Sequence, residues 1–198
     1  MMLTIMYVIM TGQSIYVGLV GSNGSGKSEA CRYLETLGFE TFSLSDIVRQ
    51  EVKNRSLSMD RNSLIETANA LKIQYGQDYL AEQVLKAASE KGAEKIVFDS
   101  IRNLDEIQFL KTHGTHFLGI DAPIEKRYER IQKRKLERDQ IDFETFKVHC
   151  IREMSGKSSG QHIEKALRKC ALVINNIGEL TALHHQIDQF LENTFGAT

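Results

Sequence analysis

The segment Gly21-Ser22-Asn23-Gly24-Ser25-Gly26-Lys27-Ser28 has the spacing GxxxxGK[ST], and those residue types at those positions are suited to holding phosphate. Glycines let backbone amides converge on phosphate oxygens, and the helix that follows adds the positive end of its dipole. Lys27 can reach β- and γ-phosphates, and Ser28 can place its hydroxyl on Mg²⁺. The expected bound pair is therefore a nucleoside triphosphate with Mg²⁺, held by residues 21–28. Asp99 closes the apolar run Ile96-Val97-Phe98, where such a loop needs a carboxylate for the metal or its water ligands. Aspartate at a strand end is also a common turn and capping residue.

A second group of cations lies further on. Arg127, Arg130, Arg134 and Arg138 follow one another at intervals of three, four and four, so one continuous helix over residues 125–139 would carry them on a single face. Cations gathered on one face could neutralise phosphate charge. Glu125, Glu129, Glu137 and Asp139 are interleaved with them, which equally describes a solvated, salt-bridged helix. The following stretch, from 135 to about 147, has no paired cysteines and offers no zinc site. The histidines, His184-His185 included, have no carboxylate or cysteine at ligand spacing and read as surface residues. Tyr75 and Tyr79 could stack on a base or pack along a helix.

These residues need elements to position them. Residues 15–20 are nearly all apolar, as a strand buried on both sheet faces should be, and the glycine-rich turn follows at once. Helical spacing over residues 27–37 ends at Gly38. Further strands fit residues 40–44, 96–99, 117–121 and 171–174, and helices fit 46–54, 60–75, 77–91, 104–111 and 179–191. Alternation of this kind predicts an α/β P-loop NTPase, a three-layer sandwich around a mostly five-stranded parallel sheet, with ligands at the carboxyl ends of the strands and a short helical lid.

The bulk composition narrows the field. With 198 residues, 41% hydrophobic and 26% charged, one domain over residues 15–198 is expected, preceded by a leader or start-site extension at 1–14. Within it, residues 45–92 would form an acceptor-binding helical region and 127–152 the lid region. A formal charge of -1 provides no global field for nucleic acid or an anionic membrane, so neither is an expected partner. The apolar first ten residues fall short of the ~20 that span a bilayer. Cys31, Cys150 and Cys170 lie far apart without CxxC spacing, which predicts reduced thiols serving as core filler in a cytoplasmic monomer or small homo-oligomer.

Four blocks in this order resemble the P-loop nucleoside monophosphate kinase group: residues 21–28, Leu44-Ser45-Asp46-Ile47-Val48-Arg49, Phe98-Asp99-Ser100-Ile101-Arg102, and Ile120-Asp121-Ala122-Pro123 with Arg127 and Arg130 after it. The resemblance to adenylate-kinase-like enzymes implies that Ser45, Asp46, Arg49 and Arg102 bind the acceptor, with the two arginines on its phosphate. Asp46-Ile47-Val48-Arg49, Tyr75-Gly76 with Asp78, and Asp-x-Ile-Arg also look like an uncharacterised archaeal P-loop family described as dephospho-CoA kinase-like. Asn175-Asn176-Ile177-Gly178-Glu179-Leu180 is similar to the end of dephospho-CoA kinases themselves.

These likenesses imply an ATP-dependent, Mg²⁺-requiring phosphotransferase acting on a nucleoside monophosphate or related small nucleotide. In such a kinase the arginine row would enter the lid and close over the triphosphate, with Arg134 and Arg138 the catalytic pair and Arg152 a weaker candidate. One alternative is a dephospho-CoA kinase, whose 3′-hydroxyl acceptor would use Asp46 as its base. Another is a nucleotide-binding regulator or slow NTPase. Ser100 departs from the glycine that the family carries at a point where bare backbone can approach the acceptor.

Overall fold

The computed structural model of the protein describes residues 14–134, 141–155 and 162–196. Five strands, β1 (Ile15–Val20), β2 (Glu40–Ser43), β3 (Lys95–Ile101), β4 (His116–Asp121) and β5 (Leu172–Asn175), form one sheet in the order β2-β3-β1-β4-β5. Every neighbouring pair is parallel. β1 thus lies at the centre, and the chain leaves it first toward β2 and β3 and later toward β4. Ligand crevices form at the carboxyl end of a strand where the order reverses in this way.

Parallel strands need crossovers, and helices supply them. Among the described residues these are α1 (Lys27–Thr36), α2 (Leu44–Asn54), α3 (Arg61–Tyr75), α4 (Tyr79–Lys91), α5 (Leu104–Thr112), α6 (Ile124–Lys133), α7 (Phe143–Ser155), α8 (Ile163–Leu167) and α9 (Leu180–Phe195). On one sheet face Val48, Leu71, Val84, Leu110 and Ala166 pack against Val20, Phe98 and Ile101. On the other, Leu34, Leu183 and Ile187 pack against Val17, Leu19, Val97 and Ile120. Burial on both faces explains why β1 and β3 are nearly continuous apolar runs, each large side chain contributing about 1.5–3 kcal/mol. A third small cluster, Ile131, Phe146 and Cys150, joins α6 to α7.

The elements follow the expected order with local differences. α2 begins at Leu44, two residues before Asp46, so Ser45 and Asp46 both lie in its first turn. β3 runs on to Ile101, which places Asp99 and Ser100 inside the strand. The single helix expected over 125–139 ends at Lys133, with Arg134 at its C-cap. The stretch expected as lid contains the start of α7, and α8 is an added short helix. Arg138, residues 1–13 and lid residues 135–140 lie outside the described residues. No helix among the described residues is long and apolar enough to cross a membrane.

Candidate functional site

The loop after β1 has its conformation enforced by what surrounds it. Gly24 and Gly26 have φ of 79° and 113°, which side chains rarely adopt. Space forbids side chains as well: a Cβ on Gly21 would lie 2.2 Å from the Ile120 carbonyl oxygen, and one on Gly26 2.2 Å from Asn176 Nδ2. From β5's end, Asn176 Nδ2 donates to the Ser25 carbonyl at 2.8 Å. Arg130 of α6 binds both partners, donating to the Asn176 carbonyl at 2.8 Å and to the Ser25 carbonyl at 3.2 Å. Ser22 and Ser25 are buried, and Ser25 Oγ has no hydrogen-bond partner.

α1 starts at Lys27 with Gly26 as N-cap and no side-chain cap, so its first amides head the helix uncovered by a side chain. Lys27 Nζ donates to the Gly21 and Ser22 carbonyls at 2.6 and 3.0 Å, folded over the loop that it would otherwise extend across. Ser28 is exposed in the first turn beside it. Such a loop with a helix start behind it is an anion cradle.

At the adjacent strand ends, Asp99 of β3 pairs in register with Ser43 of β2. Its Oδ1 is buried and without a hydrogen-bond partner, whereas Oδ2 accepts from Ser100 Oγ at 3.1 Å. A buried carboxylate oxygen left this way is costly unless a cation or its water completes it, so Asp99 could hold a magnesium ion or its water, and the exposed Ser28 hydroxyl is a second oxygen of the kind such an ion takes. Cys31 feels both charges of this region. Burial, and secondarily Asp99, push its thiol up to about 12, against a lowering by Lys27.

Ser45, Asp46 and Arg49 share one side of α2. Arg49 Nη1 donates to Ser45 Oγ at 2.8 Å and also pairs with Asp46. Arg102, half-buried just past β3, is fixed through its backbone: its N–H donates to Glu106 Oε2 at 2.8 Å and its carbonyl accepts from the His162 N–H at 2.8 Å. Glu106 is 1% exposed, caps α5 reciprocally with Asn103, and is met at 2.9 Å by Lys72 from α3.

Three of the four arginines of the expected row, Arg127, Arg130 and Arg134, lie among the described residues, and they are placed differently. Arg127 is buried, donating to the Ala122 carbonyl at 3.0 Å and to Cys150 Sγ at 3.2 Å beneath the Phe146 ring, which makes it an anchor for α7. Arg130 braces the phosphate loop, and Arg134 is exposed beyond the helix end. Tyr75 and Tyr79 stack on each other with ring centroids 4.6 Å apart. Sequence reasoning missed Ser43, Asn176's contact with the loop, and Glu106 with Lys72. Only the last had a local signal, the Asn103-x-x-Glu106 capping-box spacing.

A five-stranded parallel sheet flanked by helices, with Gly21 to Ser28 after the central strand, defines a P-loop kinase-like fold and with it a nucleotide-binding class of protein. The AAA domain family matches residues 17–153. A UPF0200 protein of Methanocaldococcus jannaschii is 30% identical over 82% of this chain and 88% of its own length. Another, from Methanosarcina mazei, is 32% identical over 70% and 76%. The chain belongs to the AAA domain family and, by these relatives, to the UPF0200 proteins. In fold it is similar to TT1252 from Thermus thermophilus, at 21% identity, TM-score 0.63 and coverage of 91% and 98% of the two chains. It is likewise similar to a shikimate kinase from Bacteroides thetaiotaomicron, at 12% identity, TM-score 0.59 and coverage of 90% and 98%.

Proposed function

We propose that this protein is a Mg²⁺-dependent phosphotransferase that moves the γ-phosphoryl group of ATP to a nucleoside monophosphate or a related small nucleotide. The observation that carries this reading is the juxtaposition, at the carboxyl ends of β1, β2 and β3, of the phosphate loop, the half-partnered Asp99 and the Ser45–Arg49 pair. In this reading Lys27 exchanges the Gly21 and Ser22 carbonyls for β- and γ-phosphate oxygens. Ser28 and Asp99 hold Mg²⁺, which when bound neutralises phosphate charge. Arg49 and Arg102 grip the acceptor phosphate in line with the donor, as two guanidinium forks can. An acceptor phosphate oxygen forms the new bond to the γ-phosphorus as the β–γ bridging bond breaks, its electron pair leaving with ADP. No proton need be removed from such an acceptor. Arg134 and Arg138 are the lid arginines proposed to stabilise the transferring group.

The dephospho-CoA alternative drew on the C-terminal Asn-Asn-x-Gly. Asn176 braces the donor loop, a task independent of the acceptor, so that likeness favours neither substrate. A thermal-shift screen of nucleotides and CoA precursors identifies the ligand, since binding stabilises by RT ln(1 + [L]/Kd). With the acceptor found, Lys27→Ala is expected to abolish turnover. Arg49→Ala should raise the acceptor KM about tenfold or more, ~1.4 kcal/mol, with ATP affinity within about twofold. Equal loss on both substrates would overturn the Arg49 assignment. Tight ATP binding with slow hydrolysis and no phosphorylated product from any acceptor would instead identify a regulator or slow NTPase.

A further inference from the structure

Three serine hydroxyls meet between Asp99 and Arg49. Ser43 Oγ lies 2.9 Å from Ser45 Oγ and 3.0 Å from Ser100 Oγ, and Ser100 Oγ lies 3.1 Å from Asp99 Oδ2 and 3.3 Å from Ser45 Oγ. Each hydroxyl has a single proton to give. Arg49 can only donate, and Asp99 Oδ2 accepts from Ser100, so the two ends set the direction. Arg49 Nη1 donates to Ser45, Ser45 to Ser43, Ser43 to Ser100, and Ser100 to Asp99 Oδ2. Every hydroxyl then donates once and accepts once over contacts of 2.8, 2.9, 3.0 and 3.1 Å, and the longer Ser100–Ser45 approach is left unused.

Ser100 holds its place at a cost. Its φ of 66° lies in the left-handed region that favours glycine, and it is one of only two such non-glycine residues among those described. Strain of this kind persists where the surroundings over-determine the residue, and here they do so through its hydroxyl. That hydroxyl occupies Oδ2 of Asp99 and leaves Oδ1 buried and unpartnered. A carboxylate with one oxygen tied down presents the other in a fixed direction, as residues behind a metal ligand commonly arrange.

We propose that Ser100 is a positioning residue that orients Asp99 toward the magnesium of the bound nucleotide, and that the serine chain couples this orientation to Arg49. Hydrogen bonds in series polarise one another, so whatever engages the Arg49 guanidinium changes the donor strength felt at Asp99. Donor and acceptor halves of the site are thereby linked without a moving domain. The proposal rests on the magnesium reading of Asp99 given above but needs no particular acceptor.

The test is ATP binding to the full chain followed by calorimetry while Mg²⁺ is titrated, with no turnover required. Ser100→Gly suits the backbone and is expected to leave the melting temperature equal or higher, while the half-saturating Mg²⁺ concentration rises about fivefold. Ser45→Ala removes both routes from Arg49 to Ser100, through Ser43 and directly over 3.3 Å, and keeps the Ser100–Asp99 bond. Arg49→Met should raise half-saturating Mg²⁺ about threefold in the native background and not at all in the Ser45→Ala background. Unchanged Mg²⁺ dependence in Ser100→Gly, or an Arg49→Met effect that survives Ser45→Ala, would overturn the proposal. Should every acceptor fail to be phosphorylated while these couplings hold, the transferase reading falls and the positioning role stands.

Discussion

At Gly26, backbone conformation and crowding impose the same residue for separate reasons, and substitution can tell them apart. Its φ of 113° taxes any side chain, and the Asn176 amide occupies the place a Cβ would take. Gly26→Ala should therefore cost about 1–3 kcal/mol for the backbone, plus the displacement of Asn176 from Ser25. Asn176→Ala alone should cost about 1 kcal/mol for the lost hydrogen bond and loosen the loop. In the double variant the collision is gone and the backbone strain remains, so the combined loss in urea denaturation should fall below the sum of the singles. Strict additivity would mean that Asn176 does not define the space over Gly26. The loop's letters were legible because GxxxxGK[ST] is local. Its clamp was not, because Asn176 and Ser25 are 151 residues apart and only the parallel sheet brings them together.

α5 shows how one helix start can hold a site it does not enter. Glu106 receives Lys72 on one oxygen and the Arg102 and Asn103 amides on the other, so a single buried carboxylate joins α3 to the end of β3. Removing one partner of such a pair leaves the other uncompensated, and Glu106→Ala is expected to cost about 3–5 kcal/mol by urea denaturation. The pair Lys72→Met and Glu106→Leu removes both charges and should recover part of that loss. Because the Arg102 amide stays unsatisfied, the recovered stability should not restore acceptor affinity. A double variant as unstable as Glu106→Ala would show the ion pair to be unimportant there. Strands and helices of this region were legible from apolar runs and glycine stops. Strand order was not, since pairing partners leave no local periodicity. α7 carried a readable signal in Phe146, Cys150 and Met154 at four-residue spacing. The arginine pattern before it suggested one continuous helix over 125–139, either a lid arm or a solvated face. Arg127 accounts for the difference: its guanidinium is spent on Cys150 and Phe146, which fold α7 back across α6.

Among the described residues, three groups with no charge at neutral pH are raised to about 12, and burial raises the Tyr79 hydroxyl as well. Burial pushes the Cys31 and Cys170 thiols from 9.0 up to about 12, and burial with the Asp188 carboxylate pushes the Tyr33 hydroxyl from 10.0 to about 12. The Tyr33 hydroxyl lies 2.8 and 2.9 Å from the two Asp188 oxygens and donates its one proton to that carboxylate while the ring stacks on His184, which pins α1 to α9. All three groups keep their protons to higher pH in the fold than in the unfolded chain. Their contribution is therefore complete below about pH 9 and is lost as pH rises through the interval from 9 to about 12. Unfolding free energy should accordingly be flat from neutrality to pH 9 and decline beyond it. Cys31→Ala should flatten the early part of that decline and Tyr33→Phe the part beginning near pH 10. Iodoacetamide should label Cys31 far more slowly at pH 8 than it labels the unfolded chain, since the thiolate is the reactive form. A wild-type decline that neither substitution alters would place the alkaline sensitivity elsewhere. The neutral state of Cys31 also matters for the site. A thiolate there would oppose the Asp99 charge and, in the proposed reading, the phosphates that Lys27 would bind. A thiol at its ordinary value of 9.0 is already mostly protonated at neutral pH, and burial of α1 against the sheet extends that neutral state well into alkali.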